Sequence, residues 1–384
     1  MFKSEMGRRN FIRRMSSAVL GVWTSGLWKA RPSMAKTGDS PTLEYRTLGK
    51  TGLKVTTVGM GVMNCSDPAV VLRAFDLGIN FFDTAPSYMG GRNEEMVGRV
   101  FKGKRDKVFI QTKLGTGDEK RTRDSVEKSL RRLQTDYVDV LLWHGLHSND
   151  EVSDTRLHEF MEKMKKEGKA RFTGFSAHSR MANLLREATK VRHHDVALVS
   201  YNFTHSRDLR EAVTQAAAAG IGIVAMKTQA GGYKKEKMGN LSPHQAALKF
   251  VLRDTNVTLA VPGVTTIEQI EACAATMGTT LSLRDGDSLR QYHTFLQGRT
   301  CTLCGGCDGE CPKSVPYGRF LRAVMYHDGY EDNRLAREVL GNTVALQTPA
   351  QCSECRSCLA VCRRGLDVQA QIRRAGQILG NESA

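Results

Sequence analysis

Residues 78–88 read GINFFDTAPSY, and the middle of the chain is read outward from them. Two phenylalanines run straight into Asp83, so an apolar strand ends on a carboxylate, and a polar loop carrying Tyr88 follows. The construction recurs. Residues 108–113 (VFIQTK) end on Lys113, and residues 138–144 (VDVLLWH) end on His144. Near-continuous apolar runs of this kind mark parallel strands covered on both faces. Strands are expected at Val55–Met60, Asn80–Asp83, Val108–Lys113, Val138–His144, Ala170–Ser176, Ala197–Tyr201, Gly222–Lys227 and Thr258–Val261. Helical periodicity falls between them, for example at Pro68–Leu77, Thr122–Gln134, Arg156–Glu167, Asp208–Ala219 and Pro243–Arg253. This alternation predicts a closed (β/α)8 barrel over residues 43–297. An open doubly wound sheet would want a G-x-G-x-x-G turn after the first strand. Gly59-Met60-Gly61-Val62 does not supply it.

Beyond the barrel, residues 298–384 form a second region with its own chemistry. Cys301, Cys304, Cys307 and Cys311 fall in CTLCGGCDGECP, and Cys352, Cys355, Cys358 and Cys362 repeat the spacing in CSECRSCLAVC. C-x2-C-x2-C-x3-C is the bacterial ferredoxin run. Three thiolates on one short loop hold a cubane, and the fourth comes from the other run. Two 4Fe-4S clusters are therefore expected, one on Cys301, Cys304, Cys307 and Cys362, the other on Cys352, Cys355, Cys358 and Cys311. Zinc sites usually pair two C-x2-C units instead, and only Cys65 and Cys273 remain outside the runs for a disulfide scaffold. Proline follows the first run at Pro312, whereas Arg363 stands in its place after the second. Gly318–His327 and Asn333–Leu340 read as short helices between the runs, giving a small, mostly helical ferredoxin-like domain.

The amino terminus adds an address. Arg8-Arg9-x-Phe11-Ile12-Arg13, the weakly apolar stretch 18–28 and Ser33-Met34-Ala35 read as a twin-arginine signal over residues 1–35, with a linker at 36–42. A basic arm is the alternative. Export of an already folded protein, to the periplasm, would suit a chain that acquires clusters in the cytoplasm. The net charge of +16 owes part of its excess to this segment. No nucleic-acid recognition motif accompanies the charge, so no nucleic-acid partner is expected. No later stretch is apolar enough for a membrane span.

At Asp83, Tyr88, Lys113 and His144 the sequence resembles the aldo-keto reductase family. The matching segments are YRTLGKTGLKVTTVGMG, GINFFDTAPSY, GGRNEEMVGR, VFIQTKLG, DSVEKSLRRLQTDYVDVLLWH, GKARFTGFSAHS and VPGVTTIEQI, across about residues 45–280. The resemblance implies Tyr88 as general acid, Lys113 and Asp83 as the charged pair behind it, and His144 orienting a carbonyl. It also implies a nicotinamide cofactor, NAD or NADP, with Ser176, Lys227 and Gly263 at cofactor positions. The family's asparagine aligns near Ala177-His178 and its glutamine with Leu198. Where the family holds a 2′-phosphate, this chain has Gly263, Val264 and Gln269, none of them charged. The expected function is an exported oxidoreductase interconverting a carbonyl and an alcohol. A redox partner protein would exchange electrons through the clusters. A flavin mediator would join hydride to single-electron chemistry, but no sequence feature names its site. The alternative is an electron-transfer or regulatory protein whose barrel is a scaffold.

Overall fold

The computed structural model describes residues 42–230, 243–299, 317–344, 358–362 and 364–380, together with Cys301, Cys311, Val315, Cys352 and Cys355. Residues 1–35, read above as a signal, and Cys304 and Cys307 lie outside these residues. Residues from Ser40 onward form one compact unit.

The described residues open with a hairpin that the sequence did not announce. Strand β1 (Tyr45–Thr47) pairs antiparallel with β2 (Lys54–Thr56), and β3 (Met60–Gly61) is the first barrel strand. The expected strand Val55–Met60 is thus two strands with different partners, because the sheet partner of each half comes from a different part of the chain. Parallel strands follow as β4 (Phe81–Asp83), β5 (Phe109–Leu114), β6 (Val138–Trp143), β7 (Ala170–Ala177), β8 (Val196–Ser200), β9 (Gly222–Met226) and β10 (Leu259–Ala260). Parallel bridges Val58 to Ala260 and Gly61 to Gly263 close the sheet on itself, completing a (β/α)8 barrel.

Alternation along these strands sorts side chains to two layers. Phe81, Val140, Leu142, Val196, Leu198, Val224, Leu259 and Val261 fill the barrel interior. Phe82, Ile110, Leu141, Trp143, Phe175, Val199 and Ile223 pack outward beneath the helices. The hairpin plugs the floor with Leu48, Leu53 and Val55, which join the interior cluster. A Cβ on Gly174 of β7 would lie 1.8 Å from the Val196 carbonyl, so only glycine lets β8 approach there.

Helices wrap the sheet where capping residues start them. Asp67 caps α1 (Pro68–Asp76), Asp118 caps α3 (Glu119–Leu133), and Ser148 closes a capping box with Glu151 on α4 (Asn149–Ser153). Helix α2 (Arg92–Val100) follows the loop of Tyr88, and α5 (Thr155–Lys166), α6 (Met181–Val191), α7 (Arg207–Ala218), α8 (His244–Arg253) and α9 (Ile267–Ala274) complete the ring. Helix α10 (Leu283–Leu296) follows the ring.

The cysteine-rich segment contributes α11 (Tyr317–Val324), a π-turn over Met325–Gly329, α12 (Asn333–Val344) and α13 (Val368–Gly380). One face of α11 places Phe320, Leu321 and Val324 in a core with Leu340, Leu366, Ile372 and Ile378. The following π-turn places Met325 and Tyr326 against Met63, just past β3. The segment is therefore laid over the barrel mouth. Among the described residues, no helix is long and apolar enough to cross a membrane.

Candidate active site

The inward alternation of each strand carries its last inward residue to the barrel mouth. Phe81 points in, hence Asp83 does; Leu142 points in, hence His144 does. Phe109, Gln111 and Lys113 form a third such series on β5. Lys113 and Asp83 are only 1% and 5% exposed, a depth at which neither charge survives unpaired. They pair: Lys113 Nζ donates to Asp83 Oδ1 at 2.6 Å and to the Thr84 carbonyl at 2.7 Å. Gln111 Nε2 donates to the same carboxylate oxygen at 2.7 Å.

Tyr88 arrives by a turn that costs energy. Met89, Gly90 and Gly91 all take positive φ, at 52°, 64° and 94°. For Met89 the left-handed conformation costs about 1–2 kcal/mol. Buried hydrogen bonds anchor the loop, with Thr84 Oγ1 donating to Asn93 Oδ1 at 2.7 Å and Asn93 Nδ2 donating to the Val62 carbonyl at 2.7 Å. The result sets the Tyr88 ring 4.8 Å from Lys113 Nζ and edge-on to the His144 ring at 6.1 Å. The four residues expected to act together are together.

A neighbouring ammonium by itself would draw the Tyr88 phenol toward ionisation. Here burial and then the Asp83 carboxylate push Tyr88 well above the ordinary tyrosine range, so the phenol keeps its proton. The cation that opposes this shift is Arg322, from α11. Burial lowers the Lys113 ammonium, against Asp83, which favours its charged form. Burial, Lys113 and Arg322 bring His144 down to about 3, so its imidazole is neutral near pH 7.

The three cofactor candidates are differently placed. Ser176 is fully buried, and its Oγ accepts from the Gly145 amide at 2.9 Å. Lys227, at positive φ of 55°, donates to the Tyr326 hydroxyl at 2.5 Å and sits 4.3 Å from that ring. Gly263 pairs with Gly61 where the barrel closes, and a Cβ there would meet nothing within 4 Å. Val264 is buried. Gln269 Oε1 accepts from the Thr265 amide at 2.7 Å, which commits it to the start of α9.

Three groups at the mouth were absent from the sequence-based site. His178 lies two residues beyond Ser176, so strand alternation alone could have flagged it. It is half-buried, its Nδ1 is buried with no hydrogen-bond partner, and burial with Arg322 and Lys227 lowers its pKa well below the ordinary value. Arg322 and Tyr326 come from the cysteine-rich segment, and no local pattern points them at the barrel.

In that segment, Cys311, Cys352, Cys355 and Cys358 line one cavity with Tyr317, Gln369 and Ile372. Gln369 Nε2 holds the loop by donating to the carbonyls of Cys352 at 2.9 Å and Cys355 at 3.3 Å. Neighbouring thiols, after burial, raise the Cys352 pKa. The described cysteines are all free. Among the described residues, no three His, Cys, Asp or Glu side chains converge on a single-ion centre. Cys301 packs beside the Tyr326 cluster, and Cys362 beside the core of α11 and α13.

Fold and site define a (β/α)8 barrel with an ionisable mouth, and comparison with known proteins gives its class. Residues 66–241 match the model of the Aldo/keto reductase family. The chain is 39% identical over 155 residues to L-galactose dehydrogenase of Arabidopsis thaliana, covering 35% of this chain and 48% of that protein. It is 31% identical over 174 residues to L-glyceraldehyde 3-phosphate reductase of Escherichia coli, covering 38% and 50% respectively. The chain thus spans about half the length of these curated relatives. Among solved structures, aldo-keto reductase AKR11C1 of Bacillus halodurans aligns with a TM-score of 0.56 and 26% identity. That match covers 65% of this chain and 96% of the other. The chain belongs to the aldo/keto reductase family.

Proposed function

We propose that this protein is an exported oxidoreductase that interconverts a carbonyl and an alcohol at Tyr88 and exchanges electrons through two 4Fe-4S clusters. The observation that carries the reading is the meeting of Asp83, Tyr88, Lys113 and His144 at the barrel mouth, supported by family membership. Tyr88, protonated at neutral pH, donates its phenolic proton to the carbonyl oxygen during reduction and recovers it in the reverse direction. Lys113, fixed by the Thr84 carbonyl and by an Asp83 that Gln111 holds in turn, stabilises the phenolate left behind. Neutral His144 offers a ring N–H to the same oxygen without adding a charge. NAD(P)H, when bound, supplies hydride, and the clusters supply single-electron transfer.

Ser176 would hold the carboxamide end of the nucleotide. The start of α9 favours NAD over NADP, because Gly263 and Val264 offer a phosphate no charge and Gln269 is spent on Thr265. Cys311, Cys352, Cys355 and Cys358 would hold one cluster, and their shared cavity fits that role. Cys301, Cys304, Cys307 and Cys362 would hold the other.

Tyr88→Phe is expected to lower turnover of a carbonyl substrate by about 10³-fold, within the usual range for loss of a general acid, while iron content stays unchanged. Retained turnover would remove Tyr88 from the reaction. A second reading, an electron carrier with a scaffold barrel, is favoured by the commitment of Gln269 and by Tyr326 occupying Lys227. Full iron loading without binding of either dinucleotide would favour it.

A further inference from the structure

The barrel mouth carries positive charge that its own carboxylate does not balance. Asp83 is matched by Lys113. Lys227 gives its ammonium to Tyr326, a phenol. Arg322 makes no hydrogen bond or ion pair among the described residues, and its Nε is buried with no partner. Glu338, a second carboxylate acting on Tyr88, pairs with Arg334 at 3.6 Å, and Asp332, which acts on Tyr326, accepts from the Leu335 amide at 2.8 Å. His178 adds a buried Nδ1 with nothing to bond. A guanidinium Nε and an imidazole Nδ1 that are buried without a partner are costly, and each calls for a group that completes it, such as a water, an ion or a ligand.

The placement of Arg322 follows from its helix. Arg322, Met325 and Tyr326 stand at i, i+3 and i+4, so they share a face. Met325 and Tyr326 pack on Met63 of the mouth, while Phe320, Leu321 and Val324 are held in the segment's own core. Arg322 is thereby carried to the tetrad, close enough to perturb Tyr88, His144, His178 and Tyr326. A guanidinium presents a planar fork that matches a carboxylate or phosphate, and a fixed helix pre-organises it.

We propose that Arg322, with Lys227 and His178, receives an anionic group of the substrate, a carboxylate or a phosphate ester, beside Tyr88 and His144. The cysteine-rich segment then sets substrate class for the barrel it covers. The word substrate rests on the carbonyl–alcohol reading above; the anion site does not.

The test uses the full chain and two inert probes, oxalate and inorganic phosphate, titrated separately by calorimetry into wild type, Arg322→Met, Arg322→Lys and His178→Asn. Wild type is expected to bind at least one probe, and the tighter one names the source of the anion. Arg322→Met should weaken it by about 30-fold or more, as when one partner of a buried charge pair is truncated. Arg322→Lys should recover part of the loss by keeping the charge without the fork, and His178→Asn should weaken binding less than Arg322→Met. Arg322→Lys also guards against a folding defect in the methionine variant. Binding of neither probe to wild type, or equal binding by all variants, overturns the proposal. Turnover of a 2-oxo acid and of its neutral amide separates the two readings. Arg322-dependent probe binding without turnover of either compound supports the anion site and removes the carbonyl reading. Equal turnover of both, unchanged in Arg322→Met, keeps the reaction and overturns the anion site.

Discussion

Near the amino-terminal ends of the strands, Asp139 of β6 is 1% exposed, yet Arg105 and Arg171 each reach it at 2.7 Å and the Ile110 amide donates to it at 2.9 Å. In the same layer, Arg46 donates to the Leu252 and Val257 carbonyls at 2.7 Å, tying the hairpin to the end of α8. At the opposite end, Arg322 and His178 have buried nitrogens with no partner, and Met89 and Lys227 hold left-handed backbone. The floor satisfies every buried charge named here and invests in stability. The mouth leaves groups unsatisfied and strained, which is where local rules are broken for function.

The comparison can be broken first at the floor. Asp139→Ala leaves Arg105 and Arg171 facing a vacated buried site. It should cost about 3–5 kcal/mol in urea unfolding, the usual result of removing one partner of a buried pair. A loss below ~1 kcal/mol would mean that the floor is not where stability is concentrated.

Acid sharpens the contrast from the mouth. His144 is near 3 in the folded state, and His178 is also lowered. Unfolded histidines bind a proton near ~6.5, so between that pH and 3 the unfolded state holds more protons than the folded one. Stability therefore falls as pH drops through this window, by at most about 1.4 kcal/mol per pH unit for each histidine. His144→Asn should flatten the slope measured by thermal unfolding. An unchanged slope would place the acid sensitivity elsewhere.

The smallest effect concerns the rim. Ser148 and Glu151 close a capping box at the start of α4, a satisfied feature beside an unsatisfied mouth. Ser148→Ala should cost about 1 kcal/mol of stability and leave oxalate or phosphate binding unchanged. An effect on binding would extend the functional mouth to this loop.

Much of the barrel was legible because its signals are local. Apolar runs ending on Asp83, Lys113 and His144 located the strands and their functional ends, and alternation explains why those three meet. The hairpin was missed because Val55–Met60 reads as one run of strand-forming residues, VTTVGM, whose two halves differ in partner. Short-range periodicity also could not say that Tyr88 would be buried deeply enough to hold its proton against a nearby lysine. That balance depends on how much solvent the surrounding loops and α11 exclude.

By itself, the sequence determined the strand–helix alternation, the residues at the strand ends and the spacing of the two cysteine runs, because each is written in neighbours a few positions apart. Only the tertiary structure decided where the barrel closes, at Gly61 and Gly263, and what covers its mouth. Lys227 and Tyr326 are 99 residues apart along the chain, and no pattern within a helix or strand records their meeting. It follows from α11 burying one face in its own core, which leaves Arg322 and Tyr326 to be carried onto the barrel.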